Sequence, residues 1–312
     1  MCGINPVKQT GSNNFLPRIS QVLDGMKKDD EPIMKKLPVE VDVVEHLVKL
    51  GLIPGATQLV KARGDLSVGG YYYLLRSVEY TTRPGRQAQT VTFRIKDLRF
   101  FKFDKNGKLK QLPMLAPDED ISTADVCTMK IENQKNGWRG VCISHWTNGD
   151  DIFCPVRAMG RRYVHIRKMG GKGWKKLPIS AYFDESGKKK FVSDNDIRVG
   201  LKTAAAMLGY PERGIPIDRI DTHSLRIGGA NALSLAGWSD RHIQKLGRWR
   251  GETFKEYIRE QLSDFSDGMS KSMQKRFGFV NVEGGAYCDI TTTVVGMDYN
   301  VAVSQGEAVA AA

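Results

Sequence analysis

Apolar residues recur at the spacing of an α-helix in several stretches of the chain. Between Val41 and Leu52 they occupy positions 43, 44, 47, 48 and 52, and Gly51 marks the end. Similar patterns, several with Asp, Ser or Thr near the start, predict helices over Cys154 to Lys168, Asp196 to Leu208, Ser224 to Ala236, Asp240 to Leu246 and Thr253 to Leu262. The chain is therefore expected to be mainly α-helical.

A further apolar segment runs from Gly69 to Thr81. It is too apolar to be exposed on all sides, so the sequence predicts a buried helix with Arg76 near its end. A buried guanidinium needs a partner, and Glu79, three residues later, is a candidate for a simple ion pair.

Strands are predicted in two regions between these helices. Val91, Phe93 and Ile95 alternate with polar residues, and a β-rich region continues through Leu98 to a turn at Asn106 and Gly107. The second region is a hairpin. Val126 to Ile131 and Val141 to Ile143 flank the run Gln134-Lys135-Asn136-Gly137, which places Lys135 at the tip. The predicted fold class is α+β, mainly α-helical with a small antiparallel sheet.

Three segments are distinguished by composition. Residues 1–37 lack apolar periodicity and end in a charged stretch bounded by prolines, as a linker or a remnant would. Residues 38–275 carry the predicted helices and strands, and residues 276–312, rich in Gly, Ala, Val and Thr, are expected to form a tail.

The positive charge is confined to the first part of the chain. All 47 Lys and Arg residues lie at or before Arg276, and only Glu283, Asp289, Asp298 and Glu307 are charged beyond it. Removing those four negative charges from the total of +12 leaves residues 1–276 with a net charge of +16. Such a field favours a nucleic-acid partner, although a solvated basic surface is an alternative reading.

Other function classes are disfavoured by the sequence. The five cysteines are odd in number and contain no C-x-x-C pair, which argues against a disulfide framework and against zinc. No run approaches the roughly 20 apolar residues of a membrane helix, and the N-terminus does not resemble a secretory signal. An intracellular protein is expected, in the nucleus if the host is eukaryotic and otherwise in the cytoplasm.

The run Asp-Thr-His-Ser-Leu-Arg around His223 carries the clearest chemistry. His223 and Arg226 are three residues apart and lie on one face of a helix, so both can reach a single anionic group. Tyr257 follows the later run Leu-Gly-Arg-Trp and could attack that group. A phosphodiester is the obvious candidate.

Together, these residues resemble the catalytic domain of tyrosine recombinases, the phage-integrase family, and are most similar to the divergent versions of eukaryotic mobile elements. The resemblance spans Leu37 to Met273. The segment 73–80 (YLLRSVEY) is similar to the first arginine box, Gln134–Gly137 to the hairpin lysine, and His223–Arg226 to the H-x-x-R box, while Tyr257 falls at the nucleophile position. Each motif alone is weak, and their order carries the resemblance.

The resemblance implies strand breakage and rejoining in double-stranded DNA through a 3'-phosphotyrosine, without metal, ATP or another cofactor. It implies that Arg76 and Arg226 neutralise the phosphate, that His223 is the base and that Lys135 is the acid. It also implies four protomers acting on paired sites. Without it, each residue has a structural reading, such as packing for Tyr257.

The chain departs from the family pattern at two points. Many members have Leu-Gly-His, whereas Leu246-Gly247-Arg248-Trp249 places an arginine in that slot. We assign Trp249 to the phosphate, with Arg248 as its rival and as a predicted DNA contact together with Arg161 and Arg162. Residues 1–37 are also too few for the family's DNA-grasping domain. A noncatalytic DNA-binding relative and a type IB topoisomerase-like relaxing enzyme are therefore alternatives.

Overall fold

The computed structural model describes residues 16–22, 35–82, 92–132, 140–249, 251 and 255. The chain divides into two units, residues 1–35 and residues 36–312. In the first unit, the described part contains a short helix, α1, over residues 17–22. All other elements belong to the second unit.

Helices are the most common regular elements in the described part of the second unit. They are α2 (Val41–Leu52), α3 (Gln58–Tyr72), α4 (Ser77–Tyr80), α5 (Asp118–Ser122), α6 (Pro155–Met169), α7 (Asp194–Met207), α8 (Thr222–Leu235) and α9 (Asp240–Gly247). Helix α3 is central and packs against α2, α6 and α8. The helices predicted from apolar spacing at α2, α6, α7, α8 and α9 are confirmed to within about two residues at each end.

Two antiparallel sheets accompany the helices. The first contains β1 (Leu98–Phe103), β2 (Leu109–Gln111), β3 (Val126–Lys130) and β4 (Cys142–Trp146) in the order β2-β1-β3-β4. The second pairs β5 (Ala181–Phe183) with β6 (Lys189–Phe191). The predicted pairing of the two strands around the Lys135 turn is confirmed, with Val126 opposite Trp146. The described residues are about half helical and include a small antiparallel sheet, which confirms the α+β class.

The strand predicted at Phe93 and Ile95 is wrong. Ile95–Asp97 is a single turn of 3₁₀ helix, because the Asp97 carboxylate accepts a hydrogen bond from the Arg94 main-chain N–H at 2.8 Å and closes the turn. The strand begins only at Leu98.

The helix predicted from Gly69 to Thr81 is two helices separated by a sharp turn. Helix α3 ends because Leu74 adopts a left-handed conformation, with φ of 48°, and the Leu75 N–H bonds to the Gly70 carbonyl at 3.1 Å. Arg76 is therefore the residue that caps the start of α4, rather than one near the end of a long helix. Residues 73–76, between the two helices, form the α3–α4 loop.

Two glycines allow close backbone contacts of α8. A Cβ atom at Gly229 would collide with the Tyr71 carbonyl oxygen, and one at Gly228 would collide with the Val39 carbonyl oxygen. Gly229 therefore lets the backbone of α8 approach the end of α3, and Gly228 lets it approach the segment before α2. As a result Arg226, one turn earlier in α8, lies beside the α3–α4 loop.

The first sheet is also bonded to the end of α3. The Tyr73 hydroxyl donates to the Cys127 carbonyl in β3 at 3.1 Å, and Nε2 of His145 in β4 lies 2.7 Å from the Tyr72 carbonyl. Burial lowers the pKa of His145 to about 4, although its bond to the Tyr72 carbonyl opposes this effect. The imidazole is therefore neutral at pH 7 and donates through Nε2.

Cys127 and Cys154 are buried, Cys142 is partly exposed, and no disulfide joins these three residues. In the described part of the chain, no helix combines the length and apolar character needed to cross a membrane.

Candidate functional site

A cleft of about 280 Å³ lies where the starts of α4 and α8 meet the turn that follows α9. Its lining residues are Arg76, Ser77, Val78, Thr222, His223, Arg226 and Trp249. Four of them, Arg76, His223, Arg226 and Trp249, are site residues predicted from the sequence. They come from three separate segments of the chain and meet at one surface.

The first turn of α8 fixes the position of His223. Asp221 caps this helix, because its carboxylate accepts from the Thr222 N–H at 2.6 Å and its own N–H bonds to the Ser224 hydroxyl at 3.0 Å. His223 is the second residue of the helix and remains exposed at the mouth of the cleft, whereas Arg226 is buried.

The surroundings of His223 favour its neutral form. Its partial removal from water lowers its pKa below the ordinary value, and the positive charges of Arg226 and Arg76 lower it further, against the opposing charge of Asp221. The neutral form therefore predominates at pH 7, as a general base requires.

Arg226 is held firmly beneath the cleft. Its guanidinium donates to the carbonyls of Leu74 and Gly247, and the ring centroid of Trp249 lies 4.1 Å from its Cζ. A Cβ atom at Gly247 would collide with the Trp249 ring, so the indole lies directly against this glycine. Gly247 thus allows Trp249 to cover Arg226.

Arg76 is fixed by Glu79, a carboxylate that is only 1% exposed. The Arg76 N–H donates to Oε2 of Glu79 at 2.8 Å, and its guanidinium lies 3.5 Å from Oε1. The ion pair that the sequence suggests between Arg76 and Glu79 is therefore present. It does not remove Arg76 from the cleft, because the side chain is 24% exposed and contributes to the lining.

Arg248 points into the protein interior. Its side chain is 0% exposed, forms an ion pair with Glu79 at 2.8 Å, and donates to the carbonyls of Tyr73 and Leu74 at 3.2 Å each. The sequence predicts Arg248 as a DNA contact. The structure corrects this prediction, because a fully buried guanidinium with these partners does not reach the surface. Of the two rivals in this turn, Trp249 is the one that lines the cleft.

The sequence suggests Glu79 as a partner of Arg76 but does not predict that Arg248 shares it. Glu79 follows Val78 and precedes Tyr80 in an apolar segment, and a carboxylate in such a setting requires cationic partners. That signal identifies the need for a cation. It does not reveal that Arg248, 169 residues away, supplies one.

The two arginines predicted to contact DNA from α6 have different environments. Arg162 is buried and donates to the carbonyls of Ile179 and Ala181, so its expected exposure is also corrected. Arg161 is partly exposed and bonds to Asp65 through Nε at 2.8 Å. Burial raises the pKa of Asp65, against the opposing effect of Arg161.

Lys135 and Tyr257, the predicted acid and nucleophile, lie outside the described residues, as does most of the helix predicted from Thr253 to Leu262. Near Tyr257 the structure describes Gly251 and Lys255, and the Lys255 ammonium lies 3.3 Å from Asp240 at the start of α9.

The arrangement is suited to an anion with several oxygen atoms. The Arg76 guanidinium and the His223 imidazole lie at the cleft, the buried Arg226 guanidinium lies beneath them, and the first turn of α8 presents the positive end of a helix dipole. No cluster of His, Cys, Asp or Glu suited to a metal ion occurs among the residues that the structure describes.

A comparison of the sequence with models of protein families and with curated proteins finds no match.

Proposed function

We propose that this protein breaks and rejoins DNA strands at specific sites through a covalent 3'-phosphotyrosine, as a tyrosine recombinase does. The observation that supports this proposal is the cleft that gathers Arg76, His223, Arg226 and Trp249. These residues span 174 positions of the sequence and lie in the order that the family resemblance requires.

The chemistry assigned to the cleft is an in-line displacement at phosphorus. The Tyr257 phenol loses its proton to His223 and forms a bond to phosphorus, while the bond from phosphorus to the 5'-oxygen breaks. Lys135 donates the proton that the leaving 5'-oxygen needs. Arg76 and Arg226 neutralise the nonbridging oxygens, where negative charge accumulates in the transition state.

Double-stranded DNA is the proposed partner, and the net charge of +16 on residues 1–276 supports it. The phosphotyrosine conserves the energy of the broken bond, so rejoining needs no ATP. A tetramer on paired sites is part of the same proposal and would bring the two strands together for exchange.

The test uses end-labelled duplexes that carry a nick and cover the DNA on both sides of the gene. Incubation with the protein followed by denaturing electrophoresis should reveal a labelled protein–DNA adduct. The adduct should disappear in Tyr257→Phe, which keeps the ring and removes the nucleophilic oxygen. An adduct of equal yield in this variant refutes the assignment.

The same samples distinguish the two alternatives. A noncatalytic DNA-binding protein would retain the duplexes in a salt-sensitive manner and form no adduct. A type IB topoisomerase-like enzyme would form the adduct and relax supercoiled plasmid without sequence preference. Adduct formation confined to particular duplexes supports site-specific recombination.

A further inference from the structure

Three guanidinium groups converge on the α3–α4 loop, and only two of them line the cleft. Arg76 and Arg226 contribute to the lining, whereas Arg248 is 0% exposed behind them. Arg248 belongs to the turn after α9, and the next residue, Trp249, returns to the cleft. The buried guanidinium therefore lies next to the site without being part of its surface.

Arg248 is connected to Arg76 through one carboxylate. Oε2 of Glu79 accepts from Arg248 at 2.8 Å and from the Arg76 N–H at 2.8 Å, while Oε1 faces the Arg76 guanidinium at 3.5 Å. The orientation of Glu79 thus sets both the main chain and the side chain of Arg76. Arg248 is the second cation that holds Glu79 in this orientation.

Arg248 is connected to Arg226 through one carbonyl. The Leu74 oxygen accepts from Arg248 at 3.2 Å and also from the Arg226 guanidinium. The two arginines that line the cleft are therefore linked by a continuous chain of contacts that runs through Glu79, Arg248 and the Leu74 carbonyl.

The backbone is strained at two residues within this chain of contacts. Leu74 and Arg248, with φ of 48° and 59°, are the non-glycine residues with positive φ among those the structure describes. They occupy equivalent positions. In each case the next N–H bonds to the carbonyl five residues earlier, from Leu75 to Gly70 and from Trp249 to Gln244. Glycine is usual at such a position, so an arginine here is unfavourable for the local backbone.

Stability alone gives no reason for this arginine. A buried ion pair is, in general, no more stabilising than apolar side chains of the same volume. Arg248 also adopts a backbone conformation that glycine would adopt without strain. What an apolar residue or glycine cannot supply is a rigid fork of donors that reaches Glu79 and the Leu74 carbonyl together.

We infer that Arg248 is a positioning residue that holds Arg76 and Arg226 at the separation needed to bind one phosphate group. This inference rests on the proposed function and adds a residue to its machinery. Two guanidinium groups can serve the same phosphorus centre only if their separation is fixed, and a displacement of about 1 Å can slow such a reaction about 100-fold. Arg248 acts through the other two arginines and does not touch the DNA.

The test is a double-mutant cycle with Arg248→Met and Arg76→Ala. Two quantities are measured for each folded variant: the single-turnover rate of adduct formation, and the affinity for inorganic phosphate by calorimetry. Arg248→Met should slow adduct formation by about 100-fold and weaken phosphate binding. In the Arg76→Ala background the same change should cost much less, about tenfold or under, because Arg76 is no longer there to be positioned.

Two further variants separate positioning from folding. Arg248→Lys keeps the charge for Glu79 but lacks the fork, so it should restore part of the lost rate. Arg162→Met removes another buried arginine, bonded to the carbonyls of Ile179 and Ala181, and should lower stability without changing the rate of the folded protein. An equal rate loss in Arg162→Met and Arg248→Met overturns the inference, as does an equal cost of Arg248→Met in both backgrounds.

The outcomes also distinguish this inference from the proposed function. If the wild type forms no adduct but binds phosphate with the expected coupling between Arg248 and Arg76, the proposed reaction fails and the positioning role stands. If the adduct forms and the coupling is absent, only the positioning role fails. If the wild type neither binds phosphate nor forms an adduct, both are refuted.

Discussion

The indole of Trp249 lies over the guanidinium of Arg226, with the ring centroid 4.1 Å from Cζ. This contact orients a planar cation whose hydrogen bonds to Leu74 and Gly247 hold it from the other sides. Trp249 therefore acts as a wall of the cleft and as a support for the arginine beneath it.

Replacing Trp249 should slow adduct formation, and the rate should fall further when more of the aromatic face is removed. A cation–π contact is worth about 0.5–2 kcal/mol, which corresponds to a rate change of about two- to thirty-fold. Trp249→Ala should show the full loss of adduct formation and Trp249→Phe a smaller one. Trp146→Phe, in the edge strand β4, is the control and should leave the rate unchanged. Equal rates for Trp249→Ala and the wild type would contradict the role of the ring.

The lowered pKa of His223 gives adduct formation a predictable pH dependence. In the proposed reaction the neutral imidazole is the active form, so the rate should fall as the pH drops through a value below the ordinary 6.5 and should level off above it. In His223→Asn this step should disappear and the plateau rate should fall by about 10²- to 10⁴-fold. Single-turnover rates between pH 4.5 and 8.5 provide the measurement. A step that persists in His223→Asn assigns the base elsewhere.

Lys135 should matter only when the leaving group needs a proton. Lys135→Ala is expected to slow adduct formation on an ordinary duplex by about 10²- to 10⁴-fold. A duplex with sulfur in place of the bridging 5'-oxygen has a better leaving group, so on this substrate the variant should approach the wild-type rate. Lys130→Ala, at the end of β3, is the matched control. A persistent defect on the sulfur substrate would exclude Lys135 as the acid.

Gly229 should be intolerant of a side chain. In Gly229→Ala the new Cβ collides with the Tyr71 carbonyl and forces α8 away from α3, which should reduce the free energy of unfolding by about 1–3 kcal/mol. The control is Gly173→Ala, where no atom lies within 4 Å of the added Cβ. Urea denaturation of both variants gives the comparison. Equal midpoints would show that the two helices can separate without cost.

The sequence predicts Arg161 as a DNA contact, whereas its ion pair with Asp65 predicts a contribution to stability rather than to DNA affinity. Arg161→Met leaves the buried carboxylate of Asp65 without its closest ion-pair partner, and because Arg161 is itself partly exposed the expected loss is about 1–3 kcal/mol. The dependence of DNA binding on salt should be unchanged, whereas the loss of a phosphate contact lowers its slope by about 1. Lys172→Ala removes an exposed charge and is the comparison for both the free energy of unfolding and the salt dependence of DNA binding.

Periodicity predicted most of the fold because burial on one face of a helix leaves a repeating signal, as in α2 and α6. It failed at the α3–α4 loop, because α3 ends where Leu74 adopts a left-handed conformation, which leucine does not favour. The resemblance to tyrosine recombinases predicted the four site residues that the structure brings together at the cleft. It did not predict the contacts through Glu79 and Arg248, which depend on tertiary packing.

Two neighbouring arginines also show that the sequence alone does not predict which side chains are buried. Arg161 and Arg162 look alike in the sequence, yet one reaches Asp65 at the edge of the core and the other is bonded to two carbonyls inside it. The difference follows from which side of α6 faces Ile179 and Ala181. Similarly, the inward direction of Arg248 follows from its left-handed backbone and from the buried Glu79.

The bonds from Tyr73 to Cys127 and from His145 to Tyr72 attach the base of the β3–β4 hairpin to the loop that carries Arg76. Lys135 comes four residues after Ile131, and four extended residues span at most about 14 Å. This length limits how far Lys135, the proposed acid, can lie from Ile131, at the end of a strand whose base is attached to the segment before Arg76. Inserting or deleting residues within 132–139 would change that limit and should leave the cleft residues themselves in place.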